Sequence, residues 1–147
     1  MAHLSSNEIE RVVAEARSWL GTKYHHHADI KGSGVDCAMF LVRVYVDAGV
    51  VPPFDPRPYP PYFYMHSSEQ KYMSWVEKYG HHVDEGKPAD VALFQFGKAI
   101  SHGGVYIGDD YMIHAFQQAG SVVISEIQRS PLLAKRFKGF WRINGLQ

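Results

Sequence analysis

The spacing of apolar residues changes near the middle of this sequence, and that change limits the folds it can adopt. Over residues 6–20, and again from residue 36 or 37 to residue 48, apolar side chains recur at helical spacing. After Gly86 they form short runs that are typical of strands, and the first of these is Val91–Phe96. Helices followed by strands predict an α+β domain in which N-terminal helices pack on a C-terminal antiparallel sheet.

Local signals mark the ends of the predicted helices. A capping box begins the first helix, glycines follow the first and the second, and a third helix is predicted over residues 69–79 with its own capping pair. The residues that carry these signals are Ser5 with Glu8, Gly21, Gly49, and Ser67 with Gln70.

Further strands are predicted over residues 103–107, 111–116, 121–125 and 137–143, with a turn at Gly108-Asp109-Asp110. The sequence contains no internal repeat and no linker-like stretch. We therefore expect residues 1–147 to form one domain.

A proline-rich stretch separates the second and third predicted helices. Residues 52–61 contain six prolines, which fix φ and remove backbone donors, so neither a helix nor a central strand is expected there. This stretch either forms one wall of a groove or is a plain connector, and the sequence leaves both interpretations open. The aromatic residues that would line such a groove are Phe54, Tyr59, Tyr62, Phe63 and Tyr64.

Charge and hydropathy exclude several classes of function. The 147 residues include 15 basic and 15 acidic ones without any basic cluster, which argues against binding to nucleic acid or to an anionic membrane surface. No apolar run approaches the roughly 20 residues that span a bilayer. The polar N-terminus lacks the apolar core of a signal peptide, and a lone cysteine suits a reducing compartment, so we expect synthesis in the cytoplasm.

Cys37 is the first candidate for chemistry. It follows a glycine-rich loop, Gly32-Ser33-Gly34-Val35-Asp36, and opens the second predicted helix. Backbone N–H groups and the positive end of the helix dipole favour a thiolate at that position. A free thiol has a pKa of about 8.5, so such a shift would increase the nucleophilic fraction at neutral pH.

His102 and His114 are the candidate partners of this thiol because each lies at or inside a predicted strand. If residues 102–108 and 110–116 form a hairpin with a three-residue loop about Asp109, both side chains lie on one sheet face, with Cα atoms about 7–8 Å apart. A two-residue loop would put them on opposite faces. On one face, one ring can take the thiol proton while the other orients it.

The sequence resembles the NlpC-type family of papain-like cysteine peptidases from residue 10 to residue 125. The first matching block is Leu20-Gly21-Thr22-Lys23-Tyr24 with Gly34-Val35-Asp36-Cys37. The second runs from Pro88-Ala89-Asp90-Val91 through His102-Gly103-Gly104-Val105-Tyr106-Ile107-Gly108 to Ile113-His114-Ala115. Tyr24-His25-His26, Lys31-Gly32 and Ala115-Phe116-Gln117 look most like the branch encoded by tailed phages and tail-like particles.

The resemblance implies hydrolysis of peptidoglycan stem peptides, typically at the bond between γ-D-glutamate and a diamino acid, without a cofactor. It assigns Cys37 as nucleophile, His102 as base and His114 as orienting residue. Tyr24 and Asp36 are implied to contact substrate. The Cys37 backbone N–H is expected in the oxyanion site. The phage branch implies delivery to the cell wall within a virion or tail-like particle.

Two positions depart from the family pattern. Ala38-Met39 replaces the usual Ser-Gly, which removes a hydroxyl beside the nucleophile, and His25-His26-His27-Ala28 replaces the usual glycines after the tyrosine. The three histidines suggest a metal site, but consecutive residues point in different directions and no second ligand cluster accompanies them, so a structural or rim role is favoured.

Other functions on the same fold stay open: a thiol acyltransferase or amidase, and a non-catalytic wall-binding or structural tail component.

Overall fold

The computed structural model describes residues 3–59 and 71–146 of the chain. Four α-helices occur within them: α1 Ser6–Ser18, α2 Cys37–Asp47, α3 Lys71–Tyr79 and α4 Pro131–Ala134. The strands are β1 Asp29–Ile30, β2 Gly34–Val35, β3 Gly80–Val83, β4 Val91–Phe96, β5 Ala99–Gly108, β6 Tyr111–Phe116, β7 Ser121–Glu126 and β8 Phe137–Ile143. A 3₁₀ turn, Gln117–Ala119, joins β6 to β7.

The first helix begins as predicted and ends slightly earlier. The Ser5 hydroxyl accepts from the Glu8 amide at 3.1 Å, and the Ser5 amide donates to the Glu8 carboxylate at 2.8 Å, so the capping box is confirmed. The helix ends at Ser18 instead of residue 20. The Gly21 amide donates to the Val122 carbonyl of β7 at 3.0 Å, so pairing with the sheet competes with another helical turn.

Strands β3 to β8 form one antiparallel sheet in the order β3-β8-β4-β5-β6-β7. Helix α2 packs on one face, where apolar side chains of α1, α2 and the sheet form the main core. A second cluster, which includes Phe94 and Met112, covers the other face. The predicted α+β fold with helices on an antiparallel sheet is confirmed.

The sequence did not predict β1, β2, β3 and α4. The first three have two to four residues each, which is too short for a period to show in the sequence, and α4 is a single turn. Strands β1 and β2 pair with each other and turn the loop before Cys37 into a small hairpin. Helix α2 ends at Asp47, one residue before the predicted end.

The loop between β5 and β6 has two residues, not the three that the predicted arrangement of His102 and His114 assumes. Asp109 and Asp110 form a two-residue turn, both with positive φ, and Gly108 pairs with Tyr111. The pairing then shifts by one residue between Tyr106 and Gly108. This β-bulge restores the register that a longer loop would have given, so the predicted arrangement of side chains farther along the hairpin is kept.

The proline-rich stretch is described only as far as Tyr59. The predicted groove residues Tyr62, Phe63 and Tyr64 lie outside the described residues, as does the predicted cap by Ser67 and Gln70. None of the helices that the structure describes is long and apolar enough to span a membrane.

Candidate active site

The candidate nucleophile Cys37 is the first residue of α2, and Asp36 is the N-cap. Asp36 has an extended backbone, and its carboxylate accepts from the Met39 amide at 2.9 Å. Such a cap satisfies an amide that the helix leaves unpaired, and its negative charge suits the positive end of the helix dipole. Capping by Asp36 therefore fixes where the helix starts and where the thiol is presented.

Two groups from other parts of the chain contact the thiol of Cys37. The Tyr24 hydroxyl donates to Sγ at 3.7 Å, and the thiol donates to the backbone carbonyl of Ser101 at 3.7 Å. Cys37 is partly buried against the main core. The thiol is thus held between the loop that carries Tyr24 and the residue that immediately precedes His102.

A β-bulge lies next to this contact. Phe94 of β4 pairs with His102, whereas the next residue, Gln95, pairs with Ile100, so Ser101 is an extra residue in β5. Bulges bend a strand and re-aim the side chains beside it. Because of the bulge, β5 places the Ser101 carbonyl against Cys37 and the His102 ring against His114 of the neighbouring strand.

His102 and His114 are direct hydrogen-bond partners. His102 Nε2 lies 2.8 Å from His114 Nδ1, which confirms that both side chains lie on one face of the sheet. On the far side, His114 Nε2 lies 2.8 Å from the hydroxyl of Ser125 on β7. The three side chains form a continuous hydrogen-bonded line across β5, β6 and β7.

Both imidazole rings are buried among aromatic side chains. His102 is 6% exposed and His114 is fully buried, and the rings of Phe94, Phe96 and Phe116 surround His102. Burial disfavours a charged imidazolium. It lowers the pKa of His102 to about 3, and burial together with the adjacent His102 ring lowers the pKa of His114 well below its usual value. Both rings are therefore neutral at physiological pH.

Besides capping α2, the Asp36 side chain joins two other parts of the chain by hydrogen bonds. Its carboxylate is 1% exposed and accepts from the His27 amide at 2.8 Å and from the Tyr59 hydroxyl at 2.8 and 2.7 Å. These contacts occupy the carboxylate inside the protein. The sequence-based assignment of Asp36 to substrate binding stays a prediction, and the structure adds a structural role.

The histidines of the loop after Tyr24 pack against the proline-rich stretch. The His26 and His27 rings stack at 3.9 Å, and the Tyr59 ring meets both edge-on. Within the described residues, no group of three or more His, Cys, Asp or Glu side chains could hold a metal ion.

Two residues of this site, Ser125 and Tyr59, were not predicted from the sequence. Ser125 ends a predicted strand and looks like an ordinary edge serine, and only the pairing of Met112 with Ser125 puts it near His114. Tyr59 is among the aromatic residues predicted to line a groove, but its hydrogen bond to Asp36 spans 23 residues and has no local signal in the sequence.

A sheet that carries two paired histidines, with a cysteine at the start of a helix packed on it, defines a papain-like α+β fold. The chain belongs to the NlpC/P60 family, whose profile matches residues 21–142.

Among curated proteins, the chain is similar to the probable endopeptidase p60 of Listeria seeligeri, with 28% identity over 107 residues. This match covers 71% of the chain and 17% of the Listeria protein. The chain thus spans less than a fifth of the length of that relative.

Two solved structures from Mycobacterium tuberculosis share the fold. The peptidoglycan hydrolase RipB matches with a TM-score of 0.61 and 21% identity, over 95% of this chain and 66% of that one. RipD, described as a non-catalytic NlpC/p60 domain protein adapted to peptidoglycan binding, matches with a TM-score of 0.60 and 16% identity, over 94% of this chain and 98% of that one.

Proposed function

We propose that this chain is a cysteine peptidase that hydrolyses peptidoglycan stem peptides at the bond between γ-D-glutamate and the diamino acid. The proposal rests on two contacts. Cys37 at the start of α2 contacts the Ser101 carbonyl, and the next residue, His102, is hydrogen-bonded to His114. Membership of the NlpC/P60 family and similarity to a probable endopeptidase support the substrate class.

In the proposed mechanism His102 is the base. Its Nε2 is bonded to His114, which leaves Nδ1 to accept the thiol proton of Cys37. The sulfur then attacks the carbonyl carbon of the scissile bond, and the charge that develops on the oxygen is stabilised by backbone N–H groups at the start of α2. His102 returns the proton to the leaving amine, and water hydrolyses the resulting thioester.

In the resting site the buried histidines are neutral. A base must have a free lone pair before it takes a proton, and burial keeps the His102 ring unprotonated. For Nδ1 to accept, the ring proton must be on Nε2, where it donates to His114 Nδ1. His114 then donates through its own Nε2 to Ser125, so the line of hydrogen bonds selects one tautomer at each ring.

Tyr24 is proposed to act at the same site through its hydroxyl. Burial raises the pKa of Tyr24 well above its usual value, so the phenol keeps its proton and donates to the sulfur. A neutral donor there stabilises a thiolate and can afterwards bond to the substrate. Delivery of the protein to the cell wall within a virion or tail-like particle stays a prediction that rests on the sequence resemblance.

The proposal is tested by incubating purified peptidoglycan with wild-type protein and with Cys37→Ala, then analysing the muropeptides by mass. Wild type should release fragments cut between D-glutamate and the diamino acid, and Cys37→Ala should release none. If wild type leaves all stem peptides intact but sediments with the wall, the chain is a binding module, as RipD is described to be.

A further inference from the structure

The charge of Asp36 is a problem for a nucleophile in the next position of the chain. A carboxylate close to a thiol disfavours the thiolate, since the two negative charges repel each other. Asp36 is also needed as the N-cap of α2, and its side chain is almost fully buried, where water does little to screen the charge. The protein therefore needs a way to keep the cap while reducing the effect of its charge on Cys37.

The Tyr59 hydroxyl meets this need together with the Met39 and His27 amides, which donate to the same carboxylate. It lies 2.8 and 2.7 Å from the two carboxylate oxygens of Asp36, so its single proton is shared between them. Burial, followed by the neighbouring Asp36 charge, raises the pKa of Tyr59 well above its usual value, so the hydroxyl stays protonated. Hydrogen bonds to a charged acceptor are stronger than those between neutral groups and disperse the charge.

The position of Tyr59 is fixed by the loop that follows Tyr24. The Tyr59 amide donates to His27 Nε2 at 3.0 Å, and the phenol ring packs edge-on against His26 and His27. The phenol is thus oriented before any substrate arrives.

Arg57 attaches the proline-rich stretch to the loop after Tyr24 at a second point. Its guanidinium donates to the His27 carbonyl at 2.7 Å and forms ion pairs with Asp29 at 3.3 Å and Asp55 at 2.6 Å. Two anchors therefore hold the described part of the proline-rich stretch, residues 52–59, against the loop before the nucleophile.

We propose that Tyr59 is a positioning residue for Cys37: it binds the Asp36 carboxylate and withdraws that negative charge from the neighbouring thiolate. The inference rests on the proposed role of Cys37 as nucleophile. It gives the proline-rich stretch a role in the reactivity of the site instead of that of a plain connector.

Several titratable or charged groups surround Cys37 and Asp36, and the test has to separate Tyr59 from them. They come from the loop after Tyr24, the helix cap and the proline-rich stretch: Tyr24, His26, His27, Asp29, Asp36, Asp55, Arg57 and Tyr59. A double-mutant cycle on Tyr59 and Asp36 isolates the pair, because all the other groups stay unchanged in each variant.

The experiment measures the rate of alkylation of Cys37 by iodoacetamide against pH in wild type, Tyr59→Phe, Asp36→Asn and the double variant. Tyr59→Phe keeps the ring and removes only the hydroxyl, and it should raise the apparent pKa of the thiol by about one unit, which is tenfold less thiolate at pH values below it. Asparagine caps a helix as well as aspartate does, so the double variant should return to the wild-type apparent pKa.

Tyr45→Phe is the matched control. Tyr45 lies on α2 far from Cys37, and its buried hydroxyl donates to the Ala89 carbonyl at 2.9 Å. Its loss should lower the melting temperature without moving the alkylation profile. The alkylation assay uses no substrate, so it tests the inference separately from the proposed function. A protein that behaves as expected here but cleaves no stem peptide would refute only the proposed function.

An unchanged apparent pKa in Tyr59→Phe, or a rise that persists in the double variant, would overturn the inference. If Tyr59→Phe fails to fold, Asp36→Asn alone can still overturn the inference. Asp36→Asn should change the apparent pKa of the thiol only slightly, because Tyr59 is present. A fall of about one unit in that pKa would show that the Asp36 charge reaches the thiol despite Tyr59.

Discussion

His102 Nε2 and His114 Nδ1 lie 2.8 Å apart, and His114 Nε2 lies 2.8 Å from the Ser125 hydroxyl. Because a neutral imidazole has one donor and one acceptor nitrogen, each bond in this line determines the direction of the next. If His102 is to accept a proton at Nδ1, Ser125 must accept from His114. The proposed role of His102 as base therefore depends on a serine two strands away.

We expect Ser125→Ala to lower kcat about tenfold with little change in KM, because His114 can then hold the other tautomer and orient His102 less well. The variant should also lose about 1–3 kcal/mol of stability, since a buried donor is left without its partner. Steady-state kinetics and urea unfolding measure the two effects.

Ser125→Thr keeps the hydroxyl and should recover most of kcat. Ser18→Ala, which removes an exposed hydroxyl bonded to the Glu15 carbonyl, is the matched control and should change neither quantity. A loss of stability in Ser125→Ala with normal kcat would show that Ser125 only supports the fold.

The buried histidines make stability depend on pH. The pKa of His102 in the folded state, about 3, lies below the value of about 6.5 in an unfolded chain, so the unfolded state binds more protons between these values. The stability that His102 contributes is therefore complete above about pH 6.5 and falls by about 1.4 kcal/mol per pH unit as the pH drops through that window.

Urea unfolding of wild type and His102→Gln at several pH values from 7 to 4 measures this slope. Wild type should show the steeper loss on acidification, because glutamine cannot take up a proton. Equal slopes in the two proteins would mean that the His102 ring is not the buried neutral group described above.

A side chain at Gly103 would meet one face of the sheet, and a side chain at Gly104 would meet the other. A Cβ on Gly104 would lie 2.6 Å from Met112 Sδ and 3.1 Å from His114 Cβ, whereas one on Gly103 would lie 2.9 Å from Leu41 Cδ1 on α2. We expect each alanine variant to be destabilised by about 1–3 kcal/mol through overpacking.

Only Gly104→Ala should also reduce kcat in the folded protein, since only it presses on His114. Kinetics under conditions where both variants are fully folded test this difference. Equal activities would show that the position of His114 tolerates displacement.

Much of the fold could be predicted because local signals and tertiary packing agree. The capping box at Ser5 and the strands Val91–Phe96 and Phe137–Ile143 were predicted at their observed positions, and the start of α2 at Cys37 was predicted to within one residue. The register of the β5–β6 hairpin was right although its turn is shorter than assumed, because the bulge at Gly108 compensates for the shorter loop. A bulge of this kind depends on pairing between strands, which the sequence does not display.

The candidate site was predicted only where the chemistry of a residue is evident from its neighbours in sequence. Cys37, His102 and His114 stand beside recognisable motifs, and the structure brings the two histidines into direct contact. Ser125 and Tyr59 form hydrogen bonds with side chains that lie 11 and 23 residues away in sequence, and the Ser101 carbonyl contacts the thiol beside a bulge. Contacts of this kind arise from tertiary packing and leave no local pattern.

The claim that Cys37 is the nucleophile of a stem-peptide hydrolase is tested with the defined peptide L-Ala-γ-D-Glu-diaminopimelate. The cleavage rate is measured for wild type, Cys37→Ser and Cys37→Ala, with folding checked by circular dichroism. Wild type should cleave the bond after glutamate, and both variants should lose at least ~10³-fold in rate while Cys37→Ala still binds the peptide. A wild-type protein that leaves this peptide and every other stem peptide intact, yet binds the cell wall as well as Cys37→Ala does, would contradict the claim.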